Sequence, residues 1–214
     1  MDRLEQHYPD ECWDDLCENM TLIGVQLDGR RLLPFVRQTL KEVTSNSRFG
    51  NDETYRLVRA IISLLYSNAP QLAFDVLDKD ARSLLQRYEF ESLIHRAQWV
   101  ESATIEAWLT GVIKNGSMPA AARTIAAGVL LQRARCSRNV EMVVNCADWF
   151  VREPTIRQSE GSYGLERLIG EIAAQDPTMR VALLDKAGET HSLEAAYGWL
   201  RIIPQIGGVS MLRG

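Results

Sequence analysis

Apolar side chains recur along this chain at intervals of three and four residues, and nowhere at a sustained interval of two. That period belongs to the α-helix, whose side chains step about 100° around the axis, whereas a half-buried strand alternates. No run of six residues joins alternation to the Thr, Val and aromatic content of a strand. The expected fold class is all-α, with about ten helices in antiparallel hairpins, because short connections leave sequence neighbours side by side. Either a stacked solenoid or a compact multi-helix bundle satisfies this pattern.

The clearest stripe runs from Asn139 to Arg152. Val140, Val143, Val144, Ala147, Phe150 and Val151 share one arc, while Met142 and Trp149 point the opposite way. A helix that is apolar on two sides has to be covered twice. The second face is expected to meet another layer of this chain; the alternative is a patch that recognises another molecule. Tryptophan and arginine are common interface hot spots and methionine adapts to varied partners. Trp149 and Met142, with Arg138 and Asn145 beside them, are therefore candidate protein-binding residues.

Caps and breakers divide the rest. A helix is expected over Pro9–Met20, then a loop at Gly24, Asp28 and Gly29, then a helix from Arg30 or Pro34 to Thr44. Asn51 or Asp52 caps a helix reaching Ser67, whose polar stripe of Arg56, Arg59 and Ser63 is narrow enough to make it central. A short helix spans Pro70–Leu77, and Asp78 or Asp80 is expected to cap the next, which buries Ala81, Leu84, Leu85 and Tyr88 and changes phase near Glu89. Another starts at Ser102 and closes at Asn115-Gly116 with a left-handed terminus. One more starts at Ser117-Pro119, and Ser137 is expected to cap the helix at Val140. Glu153-Pro154 opens a loop reaching Gly164. Helices follow at Leu165, at Asp176-Pro177 and at His191-Ser192, the last burying Leu193, Tyr197, Trp199 and Leu200. The expected organisation is an N-terminal helical segment over 1–50 packed on a helical-repeat body over 51–204, with a tail over 205–214.

The segment Asp176-Pro177-Thr178-Met179-Arg180-Val181-Ala182-Leu183-Leu184 resembles the opening of a HEAT repeat, in which a proline starts the first helix and Asp and Arg recur at this spacing. The resemblance extends over about residues 70–203 and implies a scaffold with a partner-binding surface.

Charge and composition narrow the function. The net charge of -4 lacks the basic excess of a protein that coats nucleic acid. Residues 1–20 hold seven acids against Arg3, leaving 23 basic and 21 acidic residues in the rest of the chain. On that acidic segment Trp13, Leu16, Cys17 and Met20 form an amphipathic edge, so Trp13, Asp10 and Asp14 join the protein-binding candidates. Arg30, Arg31, Arg37, Lys41 and Arg48 form the patch through which nucleic acid would bind instead.

Enzyme templates lack their parts. There is no GxSxG elbow, no phosphate loop ending in Gly-Lys-Ser/Thr, no HExxH and no CxxC. Asp14-Asp15-Leu16-Cys17-Glu18 has a spacing similar to the magnesium-binding motif of isoprenoid synthases, but no second acidic stretch accompanies it. Trp149, Asp148, Arg138 and Arg152 are residue types a helical base-extracting enzyme uses, yet Asp148 and Trp149 stand about 100° apart. Four cysteines and three scattered histidines suit neither a disulfide framework nor a metal site. No cofactor and no catalytic residue is expected.

The opening Met1-Asp2-Arg3-Leu4-Glu5 is no secretory signal, and Leu57–Tyr66 falls short of the roughly 20 apolar residues that span a bilayer. A cytoplasmic protein is expected, and 20 arginines against four lysines suit a bacterial or phage source. The functional expectation is a non-enzymatic adaptor or inhibitor that binds a protein partner, such as a basic enzyme acting on nucleic acid. Direct nucleic-acid binding and a helical enzyme are the alternatives.

Overall fold

The helical period is realised throughout the described residues. The computed structural model describes residues 27–45, 51–85, 87–100, 103–159 and 161–207. Among them it holds eleven α-helices and no strand, so the chain is all-α. No described helix is long and apolar enough to cross a membrane. The chain parts into two compact units, residues 1–105 and 106–214. The expected N-terminal helix over Pro9–Met20 and the tail beyond Gly207 lie outside the described residues.

In the first unit α1 (Gly29–Ser45) packs along α2 (Asn51–Leu65). Leu32, Val36 and Val43 of α1 are buried, and Pro34 stands exposed inside the helix. α2 is central, as its narrow polar stripe predicts: Leu57, Ile61 and Leu64 are wholly buried, and Ser63 turns inward with its hydroxyl donating to the Arg59 carbonyl at 3.0 Å. α3 (Gln71–Val76) does not end where Asp78 or Asp80 would cap a new helix; the chain widens into a π-turn over Leu77–Ala81. α4 then starts at Arg87 and runs to Arg96. That phase buries Phe90, Leu93 and Ile94 and turns Tyr88 outward, 61% exposed, against the expectation that it is core.

The second unit contains most of α5 (Ala103–Lys114), then α6 (Ala120–Ser137), α7 (Val140–Arg152), α8 (Pro154–Arg157), α9 (Ser162–Gln175), α10 (Pro177–Gly188) and α11 (Leu193–Gly207). A methyl placed on Gly161 would lie 2.7 Å from Thr124 Cγ2 and one on Gly128 3.6 Å from Leu165 Cδ2, so α6 and α9 run parallel. Glu166 reaches Arg201 at 2.6 Å and Gly170 faces Gln205, so α11 continues the parallel row. α7 and α10 are the returns between its members. α7 packs on α6, α8, α10 and α11.

Helix ends in this unit differ from expectation in three places. Asn115 closes α5 by donating to the Gly111 carbonyl at 3.0 Å while its side chain accepts from Ser117 N, and Gly116 is not left-handed. The left-handed residue is Arg138, with φ 53°, and the chain reverses there as Asn139 N donates to Ala134 O at 2.8 Å. Asn139 then caps α7, its Oδ1 accepting from Met142 N at 3.0 Å, while the Ser137 hydroxyl donates back to Arg133 O. Pro154 opens a single buried turn, α8, where a loop was expected. Asp176 caps α10 by accepting from Thr178 N and Met179 N, with Pro177 in the first turn.

The largest departure is in α11. Trp199 is buried as expected, but the helix buries Ala195, Ile202 and Ile206 beside it and leaves Leu193, Tyr197 and Leu200 exposed. They occupy the opposite side of the helix, where no other described element packs closely enough to cover them.

Candidate protein-binding groove

α7 presents two faces with different fates. Val143, Ala147, Phe150 and Val151 are buried in the second unit. Met142 and Trp149, two turns apart on the other side, are half-buried and line a groove of about 680 Å³. Ile113 of α5 and Leu130 of α6 complete its apolar wall, and Asn145 adds an exposed amide.

Charges of both signs edge the groove. Arg152 Nε donates to Asp148 Oδ2 at 2.8 Å, an i,i+4 hydrogen bond through which that carboxylate holds Arg152 above its ordinary pKa. Lys114 and Glu141 also line the groove, and neither forms an ion pair with another described residue. They remain available to a ligand.

Trp149 is held in place from behind by Arg123, which is only 6% exposed. The guanidinium carbon stands 5.4 Å from the ring centroid, Nε donates to the Ile113 carbonyl at 2.8 Å, and Nη2 lies 3.3 Å from Glu153 Oε2. One side chain of α6 thereby ties the end of α5, the residue after α7 and the indole ring. A cation over an aromatic face contributes on the order of 1 kcal/mol, more where water is excluded. An aromatic side chain fixed before binding loses little further freedom when a partner arrives.

Two titratable side chains of the groove, Cys146 and Asp148, are constrained by their surroundings. Cys146 lines the groove, but burial pushes its thiol up to about 12, so no thiolate is present at neutral pH. Asp148 is engaged by Arg152. Among the described residues no three His, Cys, Asp or Glu side chains are grouped to hold a metal ion. The arrangement suits an apolar side chain entering beside Trp149, with polar and charged groups around it.

Of the residues singled out from sequence, Met142, Asn145 and Trp149 come together in the groove. Arg138 does not: it is the exposed left-handed residue that ends α6. Without it, the set expected of a base-extracting enzyme is not assembled. Trp13, Asp10, Asp14 and Arg48, with the acidic run Asp14–Glu18, lie outside the described residues. Arg30, Arg37 and Lys41 are exposed and fall within about 40° on one flank of α1. Arg31 stands about 100° from Arg30 and pairs with Asp28 at 3.3 Å, so it leaves that row. Arg123, Lys114 and Glu141 were not anticipated. The signal for Arg123 was its place in the run Ala120–Ala127, where alanine and threonine neighbours leave room for a long buried stem.

No known protein family, curated protein or solved structure matches the chain.

Proposed function

We propose that the chain is a non-enzymatic helical adaptor or inhibitor that takes an amphipathic segment of a protein partner in the groove along α7. The carrying observation is the half-buried Trp149 ring, fixed from behind by buried Arg123 and facing a groove with two uncommitted charges. An apolar anchor of the partner sits beside Trp149, Met142 and Ile113, and flanking residues of opposite sign meet Lys114 and Glu141. The seven acids of residues 1–20 support a basic partner, such as an enzyme acting on nucleic acid, drawn in by long-range attraction. The parallel row of α6, α9 and α11 supports the HEAT-like reading, in which stacked helices display a binding surface.

The test compares immobilised wild-type chain with Trp149→Ala and Asn145→Arg in capture from the source cell, followed by calorimetry with the purified captured protein. Both variants are expected to keep the helical circular dichroism of the wild type. Trp149→Ala is expected to weaken the partner by roughly 30-fold or more, the range of a buried aromatic hot spot. Binding that both variants leave intact refutes the groove, and so does an unfolded Trp149→Ala, which would make the ring a core residue.

A second reading is favoured by the row of Arg30, Arg37 and Lys41, three exposed cations spread over about 16 Å of α1 without an ion pair to a described residue. In that reading the row follows a phosphate backbone. Salt-sensitive retention on heparin, lost in the Arg30→Glu, Arg37→Glu, Lys41→Glu triple variant, would favour it over the groove.

A further inference from the structure

α11 is buried along one side and apolar along the other. Ala195, Trp199, Ile202 and Ile206 face the unit's core. Opposite them Leu193, Tyr197 and Leu200 are 92%, 66% and 65% exposed, and exposed Pro204 continues the line. The intervals of four, three and four residues hold these side chains within about 60° of arc, the geometry of a coiled-coil seam. The row contains no charge. A helix with no described neighbour on its outer side needs a polar face there to be soluble alone, and α11 lacks one.

We propose that this face joins a second copy of the chain, α11 against α11 in antiparallel contact about a two-fold axis between Tyr197 and Leu200. Three features select a second copy. The stripe is self-complementary: on that axis Leu193 meets the second copy's Pro204, and Tyr197 meets its Leu200. The flank is self-complementary as well. Glu194 and Arg201 lie seven residues apart on one edge, so antiparallel pairing sets each beside the opposite charge of the other copy. Both keep their partners within the chain, Glu194 with Arg157 at 3.7 Å and Arg201 with Glu166 at 2.6 Å, so the pairing adds to a flank already held in place.

The area is also of the right size. Leu193, Tyr197 and Leu200 together present on the order of 500 Å² to solvent, enough to form the centre of a standard interface of about 800 Å² per partner. A partner attracted by charge would find nothing in the stripe to attract it.

Sedimentation velocity on the full chain over a range of concentrations tests the assignment. The wild type is expected to form a dimer. Tyr197→Glu combined with Leu200→Glu is expected to raise the dissociation constant by about 100-fold or more, with the helical circular dichroism unchanged because both side chains stand in solvent in the single chain, and with the concentration dependence of Tm lost. Leu193→Ser, in the first turn of α11, is the milder variant and is expected to weaken the dimer about tenfold without touching the fold. A wild type that remains monomeric at every concentration overturns the proposal. So does a dimer that survives the double substitution or is indifferent to Leu193→Ser.

Discussion

Replacing Gly198 with alanine probes a close contact between α11 and α7 in the second unit. A methyl there would stand 2.6 Å from the Val151 carbonyl oxygen, 2.7 Å from Val151 Cβ and 2.9 Å from Val151 Cα. Carbon and oxygen settle at about 3.3 Å or more, so α11 has to withdraw from α7 by roughly 0.5 Å or more. No obstructing atom can rotate aside, since the carbonyl is backbone and Cβ is fixed to it. Overpacking costs about 1–3 kcal/mol, and a backbone obstruction belongs at the upper end. Alanine recovers about 1 kcal/mol of helix propensity. The net expectation is a loss of about 2 kcal/mol, or a Tm lower by roughly 4–8 °C for a chain of this size. Gly111→Ala in α5 is the matched control, because nothing lies within 4 Å of its added methyl and propensity acts alone. It is expected to raise stability by about 0.5–1 kcal/mol. Urea titrations followed by circular dichroism report both as shifts in midpoint at constant m. If Gly198→Ala stabilises as Gly111→Ala does, α7 and α11 do not approach this closely and the packing described for them is wrong.

Two further outcomes follow from groups in the same unit. Burial raises the Glu166 carboxyl above its ordinary 4.5, and the nearby Arg201 charge recovers only part of that shift. The folded chain then binds this proton more tightly than the unfolded one, so stability falls as pH rises from the unfolded value through the raised folded value. Glu166→Gln should remove that slope and be no less stable at neutral pH, although it deletes a 2.6 Å ion pair; denaturant titrations across the acid range check this, and a clear loss at neutral pH refutes it. Cys136 is exposed whereas the Cys146 thiol is pushed up to about 12, so iodoacetamide at mildly alkaline pH should label Cys136 in the native chain and Cys146 only after unfolding. Peptide mass spectrometry reads the two sites separately, and fast native labelling of Cys146 would contradict its burial.

Much of the fold was legible because helix period and proline position are local properties. The helices beginning at Ala103, Pro177 and Leu193 lie where their caps and stripes place them, and α2 is as central as its narrow polar stripe requires. Tyr88 and the π-turn at Leu77–Ala81 were not legible, because they depend on how helical phase is carried between two elements rather than on either alone. The groove was legible in part. Met142, Asn145 and Trp149 share a helix face and can be grouped by counting. Arg123 and Lys114 reach the same place from other helices, and periodicity along one helix carries no information about its neighbours.

α7 and α11 are both apolar on two sides, and the difference between their second faces shows what decides such a case. Beside α7 a neighbouring helix supplies Arg123, whose guanidinium covers one side of Trp149 and leaves the other toward the groove. That face is short, edged by Lys114 and Glu141, and suited to one anchor of matching polarity. Beside α11 no further described helix joins the parallel row, and a long uncharged stripe is left that matches itself. The two faces also lie apart, because α11 meets α7 at Val151, on the buried side of α7 opposite Met142 and Trp149. Substitutions at Tyr197 and Leu200 should therefore change self-association while leaving the affinity of one groove unchanged, and Trp149→Ala should do the reverse. A dimer through α11 carries two grooves, so a bivalent partner binds it more tightly than the monomeric double variant by the effective concentration of the second site. A monovalent peptide from the same partner binds both forms alike.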